Sequence, residues 1–321
     1  MKKSTRNAII VALALCFAGI IICGLVLIAV KFDFSAFNTA KYQETVHDIG
    51  KEFENIVIET DVSDVTFILS DSTESAVECF ERENRKHSVY VKDGTLYIKE
   101  TERRWYDNIG IFFGRDESIT LRLSKTEFEK LSIETDTGDV NISENFVFDN
   151  IDIESDTGDI KVFAKAEKIS VSTDTGDIFA EKLDVNSLSV DTDTGNINIY
   201  NANIEGKLGV ETDTGKIHIA DVSADNMSVE SDTGDVLLEH TEVLGKLNVI
   251  SDTGDVHFAR SDADTIYVRT STGDVTGTLL SEKIFTTHTS TGDVRVPNSR
   301  SGGACEIKTS TGDIEIEIEN Y

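Results

Sequence analysis

The sequence predicts an all-β chain: a parallel β-solenoid of about ten coils of 18–20 residues, preceded by one N-terminal transmembrane helix. Three observations predict it. A glycine recurs at a near-constant period from Gly138 to Gly312. On both sides of each such glycine, apolar and polar residues alternate with period two, the signature of half-buried strands. Ahead of all this, residues 8–30 contain no charged or strongly polar side chain.

Taken as a helix, the uncharged run 8–30 spans roughly 34 Å at about 1.5 Å per residue, enough for a hydrocarbon core of about 30 Å. It exceeds the roughly 7–15 apolar residues of a cleaved signal, and Ala29-Val30-Lys31 offers no small-x-small cleavage site. The expectation is an uncleaved anchor. Lys2, Lys3 and Arg6 precede it, so residues 1–7 are expected in the cytoplasm and the remainder outside, on the cell membrane.

Residues 31–51 read as a tether or edge segment. Residues 52–125 read as an atypical N-terminal cap, required because an array of identical coils leaves its end core open. Within the cap, Ile56-Val-Ile58-Glu-Thr60-Asp61 looks like a decayed first repeat, and Asp93-Gly94 marks a hairpin.

Residues 126–321 hold the repeats. Their glycines are Gly138, Gly158, Gly176, Gly195, Gly215, Gly234, Gly254, Gly273, Gly292 and Gly312, at intervals of 20, 18, 19, 20, 19, 20, 19, 19 and 20 residues. Asp-Thr-Gly-Asp between two strands has turn chemistry, since Asp bonds nearby backbone amides and Gly accepts positive φ. Three residues before each glycine stands Thr or Ser, expected as a stacked hydroxyl column beside the turn. An antiparallel meander also fits the alternation. The solenoid is favoured because identical residue types gain most when equivalent strands stack in register.

The order of these motifs, with Gly94-Thr-Leu96-Tyr-Ile98, Ile119-Thr-Leu-Arg-Leu123 and the ladders of Thr-Asp-Thr-Gly-Asp-Val, resembles the bacterial putative-adhesin family of membrane-anchored β-strand-repeat proteins, a domain of unknown function. The resemblance covers about residues 50–318 and implies a β-helix-like extracytoplasmic domain with relatives in envelope-stress settings.

From Lys31 onward the chain carries all 59 acidic residues and 27 of the 30 basic ones, a net charge of −32. No nucleic-acid partner is expected, because affinity for nucleic acid comes from neutralising phosphates. Asp-Thr-Gly is also an aspartic-protease triplet, but those enzymes need two carboxylates sharing one cleft, and here the copies recur in line. The post-glycine carboxylates Asp139, Asp159, Asp177, Asp235, Asp255, Asp274, Asp293 and Asp313 would stack about 4.8 Å apart, a ladder suited to weak, diffuse binding of calcium. Asn196 and Lys216 interrupt it. No dedicated cofactor is expected.

Two binding faces are expected. The outward position four before the glycine is mostly acidic early in the array and turns to Ile250, Arg269, His288 and Lys308 late, with Arg260, Arg295 and Arg300 nearby. The second is the aromatic segment with Trp105, Tyr106, Phe112 and Phe113. No catalytic constellation is visible, so the expectation is a non-enzymatic binding, adhesion or scaffolding module for an envelope polymer, glycan or protein. A regulatory, envelope-sensing membrane protein is the second reading, and a carbohydrate-active enzyme of the β-helix type the third. Ile314, Ile316 and Ile318 are expected to close the far end of the rod on an uncovered edge, with Glu315, Glu317 and Glu319 facing out as charged gatekeepers. Cys79 in the cap and Cys305 in the last coil are expected too far apart to pair.

Overall fold

In a computed structural model, residues 3–29, 41–101 and 117–319 are described. A helix covers Lys3–Ala29, and its apolar Leu15, Phe17, Ile20, Ile22, Leu25 and Ile28 are all exposed. Among the described residues no helix is long and apolar enough to cross a membrane, so the structure does not establish the span expected over 8–30.

The rest is a parallel β-solenoid. Strand Val147–Thr157 pairs in register with Glu127–Thr137 on one side and Lys165–Thr175 on the other, and Ile160–Val162 lies between Val140–Ile142 and Ile178–Glu181. Like residues sit on like: Ile153 stacks on Ile133 and Val171, and Ser155 on Thr135 and Thr173. Inward residues such as Ile151, Ile153, Ile160 and Val162 are buried, each contributing roughly 1.5–3 kcal/mol by leaving water. A third side carries Val185, Ile204, Ala224, Val243 and Ala263 inward.

At the glycine corner the coils approach so closely that no side chain fits. A Cβ on Gly215, where φ is +157°, would lie 1.8 Å from the carbonyl oxygen of Gly195. The hydroxyl column before this corner is buried as expected except at Thr289 on the outermost coil, which is half-buried, and Thr192 and Thr212 each donate to the glycine carbonyl one coil back at 3.2 Å.

Coil order departs from chain order at both ends. Asn55–Thr60 pairs with Glu127–Thr137 and, on its other edge, with Thr95–Glu100, so the first repeat is enclosed by segments that follow it in the chain. Antiparallel strands finish this end: His87–Lys92 joins Thr95–Glu100 through the Asp93-Gly94 turn, and Tyr42–Ile49 joins Ser75–Arg82, which lies on Glu117–Leu123. At the distal end, Gly303–Thr311 pairs with Val256–Thr272 and with Lys283–Thr291, while Ile314–Ile318 lies between Val275–Leu279 and the short Val294–Arg295.

The expected far end is therefore corrected. Ile314 and Ile316 are buried as expected, but their strand is paired on its outer edge as well, at Ile314 and Glu315, and the terminal coil is instead Lys283–Thr291 with Val294–Arg295. The physical reason is that Ile314-Glu-Ile316-Glu-Ile318 alternates more fully than Val294-Arg295, whose pairing stops ahead of Pro297, so the better strand takes the place with two neighbours. Cys79 and Cys305 are both free and buried, Cys79 beside Ile119 at one end and Cys305 beside Ile266 and Phe285 at the other.

Candidate binding surfaces

The post-glycine ladder is a chain of turn caps. The amide of Asp159 donates to Asp139 Oδ1, and that of Asp177 to Asp159 Oδ1, both at 2.9 Å. Asn196 continues the ladder instead of interrupting it, because its Oδ1 accepts from the Lys216 amide at 3.0 Å. Lys216 has no such acceptor, and its ammonium pairs with Asp235 Oδ2 at 2.9 Å. That hydrogen bond, with the Asp255 amide second, holds the Asp235 carboxyl below the usual carboxylate range. The ladder resumes through Asp255 and Asp274 and then runs Asp274, Asp313, Asp293, following the transposed coils. One oxygen of each such carboxylate ahead of the final Asp293 is thus engaged by a backbone amide, leaving less for a cation than the sequence suggests.

The late basic column forms only in part. Arg269 stacks on Lys308, and Lys308 on His288, in the order 269, 308, 288. Arg260 stands apart on a corner with φ of +57° and pairs with Glu319 at 3.1 Å. Arg295, on the side after the glycine, reaches Glu315 at 3.4 Å and lines a hollow of about 840 Å³. Trp105, Tyr106, Phe112 and Phe113 lie outside the described residues.

Three features escape sequence reasoning. Lys182, Asn201, Asp221, His240 and Arg260 all have φ between +45° and +58°, a second stacked corner in the left-handed region. Asn201, Asp221 and His240 there carry a signal, since Asn, Asp and His are enriched in that conformation among non-glycine residues, whereas Lys182 and Arg260 carry none. The second feature is an outward run of rings across four coils: Phe163 to Phe179 at 5.7 Å, Phe179 to Tyr200 at 5.5 Å and Tyr200 to His218 at 5.1 Å between centroids. The Tyr200 hydroxyl lies 3.1 Å from Asn198 Oδ1 and 3.0 Å from His218 Nδ1. The rings are half-buried, and their spacing hides because they sit at differing offsets from their glycines.

The third is a buried polar cluster in the cap. Alternation along Ser75–Arg82 turns Cys79 and Glu81 inward together. Glu81 accepts from Thr45 at 2.9 Å, Gln43 at 3.3 Å and the His87 amide at 2.7 Å, and its Oε2 lies 3.1 Å from His87 Nδ1. Burial alone would raise this carboxyl, but the hydrogen bonds from His87, Thr45 and Gln43 together hold it below the usual range. Burial, with the Glu81 charge second, pushes the Cys79 thiol up to about 12. Nearby, buried Glu117 pairs with Arg82 at 2.7 Å and Arg85 at 2.6 Å.

The pattern of the Toastrack DUF4097 family matches residues 53–257 and 241–320, nearly the whole solenoid. The chain belongs to that family. No curated protein matches it. Among solved structures, a putative lipid binding protein from Parabacteroides distasonis ATCC 8503 is similar over 86% of this chain and 97% of its own, with a TM-score of 0.52 at 14% identity. A putative adhesin from Parabacteroides merdae ATCC 43184 is similar over 76% of this chain and 98% of its own, with a TM-score of 0.50 at 14% identity. At such identity these likenesses establish the shared fold of this Toastrack chain.

Proposed function

We propose that this Toastrack protein is a non-catalytic binding module held at the cell envelope by its N-terminal helix, with the solenoid outside the membrane. The observation that carries the reading is the run of half-buried rings Phe163, Phe179, Tyr200 and His218 aligned over four successive coils of a strongly acidic chain. Aromatic side chains are enriched where proteins bind, because they offer large contact area with a polar tip. A linear run over stacked coils fits an extended partner, and we take this to be an envelope glycan, with Asn198 and Glu239 alongside as hydrogen-bonding groups. The adhesin description of a neighbour of the same fold agrees with such a role. Support for the anchor is the uncharged run 8–30, its exposed apolar side chains and the basic residues before it.

The test is co-sedimentation of the full-length chain with isolated wall polymer, comparing wild type with Phe179→Ala/Tyr200→Ala. Loss of sedimentation in the double variant, with the fold retained by circular dichroism, is expected. Equal sedimentation of the two would contradict the assignment of this face.

A further inference from the structure

We propose that Cys79, Glu81 and His87 form an internal metal site that takes a divalent cation of the zinc class. Their ligand atoms all lie within 4.8 Å of one another, and the three residues are 0%, 1% and 4% exposed. The set of sulfur, imidazole nitrogen and carboxylate oxygen suits zinc and disfavours calcium, which takes oxygen ligands.

Two of the three ligand atoms face each other directly. Thr45 and Gln43 both hold Glu81 Oε1, while Oε2 accepts from the His87 backbone amide at 2.7 Å and faces His87 Nδ1 at 3.1 Å, keeping a lone pair toward the site. That separation is close to the roughly 3.3 Å expected between two ligands each about 2.0–2.1 Å from a tetrahedral metal. On the far side of the ring, His87 Nε2 meets Thr60 Oγ1 at 3.1 Å. Without metal, Nδ1–H donates to the Glu81 carboxylate and Nε2 accepts from Thr60; with metal bound, the proton sits on Nε2 and is donated to Thr60, so that Nδ1 offers its lone pair to the site, the arrangement outer partners give metal-binding histidines. The His87 backbone amide also donates to Glu81, so the two residues are held together by the fold as well as by their side chains.

On binding, the Cys79 S–H bond breaks and the sulfur–metal bond forms, with the proton passing to solvent. The His87 proton on Nδ1 is exchanged through solvent for one on Nε2, so the ring stays neutral and turns its lone pair to the metal with no net proton change. Thiolate and carboxylate then balance the two positive charges of the ion, and no oxidant or reductant is needed. Metal ties the strand Ser75–Arg82 to His87 at the start of the next strand, and through Thr60 to the first coil, closing the proximal end of the core.

Cobalt(II) is the probe, titrated into the full-length chain after metal is stripped by chelator. One equivalent is expected to produce a sulfur-to-cobalt charge-transfer band, displaced by zinc. Cys79→Ser is expected to abolish the band and Cys305→Ser to keep it, while His87→Gln lowers zinc affinity by more than the about 10–100-fold typical of losing an outer partner. Absence of the band in wild type, or its survival in Cys79→Ser, overturns the proposal. Should Cys79→Ser fail to fold, thiol alkylation of the wild type mapped by mass decides: zinc is expected to protect Cys79 but not Cys305, and equal labelling of Cys79 with and without zinc overturns the site.

Discussion

Arg269 lies in register beside Lys308, although the repeat carrying His288 falls between them in the chain. The distal end of the solenoid is thus closed by transposing its last two coils, and the proximal end likewise encloses its first repeat between later segments. Each transposition places a well-alternating strand between two neighbours.

At the corner, Gly215→Ala would place a Cβ 1.8 Å from the Gly195 carbonyl oxygen, whereas at Gly209 the nearest atom would be Ser189 Oγ at 3.9 Å. We expect Gly215→Ala to destabilise by about 3 kcal/mol through overpacking, and Gly209→Ala to change stability by less than about 1 kcal/mol. Thermal melts of the two variants side by side check this.

In the ladder, Asp159 is expected to tolerate Asn and not Ala. Asn keeps the Oδ1 that accepts from the Asp177 amide, as Asn196 does for Lys216, while Ala removes it and costs about 1 kcal/mol. Urea titration of both variants distinguishes a turn cap from a purely electrostatic role, under which Asn and Ala would behave alike.

Burial, with Glu211 on the next coil and Asp193, Asp213 and Asp174 after it, raises the Asp191 carboxyl above its usual range. A raised acid binds its proton more tightly in the folded state, so its charge opposes folding at neutral pH. That opposition fades as pH falls through the raised value. Asp191→Asn is expected to stabilise by about a few tenths of a kcal/mol at pH 7, discounted for its exposure, with the gain disappearing in acid. Melting temperatures measured across pH check the sign.

Triple replacement of Glu315, Glu317 and Glu319 by Thr is expected to cause little association, because Val275–Leu279 pairs the whole strand on one edge and Val294–Arg295 covers its start on the other. Replacing exposed Thr286 and His288 on the outer coil by Val is expected to promote association instead. Light scattering over a concentration series reads both.

The stacking of coils is legible in the sequence because the repeat imposes one residue type on each position: Ile133, Ile153 and Val171 form a buried column that period and residue type alone identify. The turn ladder is legible as chemistry, although Asn196 reads as a break when charge is the criterion, whereas the turn needs only an acceptor oxygen. The transposed ends are not legible. Every repeat is compatible with every other, so the period carries no information about which coil neighbours which. Nor is the cluster of Cys79, Glu81 and His87, since it forms by pairing antiparallel strands in the region where the period fails.

The stacking order is tested most directly by engineered disulfides in a chain whose native cysteines are replaced by serine. Arg269→Cys with Lys308→Cys places the two thiols on adjacent paired strands, whereas Arg269→Cys with His288→Cys places them two coils apart. Cα atoms must come within about 4.4–6.8 Å for a disulfide, and one coil step is about 4.8 Å. We predict that mild oxidation joins 269 to 308 and not 269 to 288. Ready joining of 269 to 288 with none of 269 to 308 would contradict the transposition and return the coils to chain order.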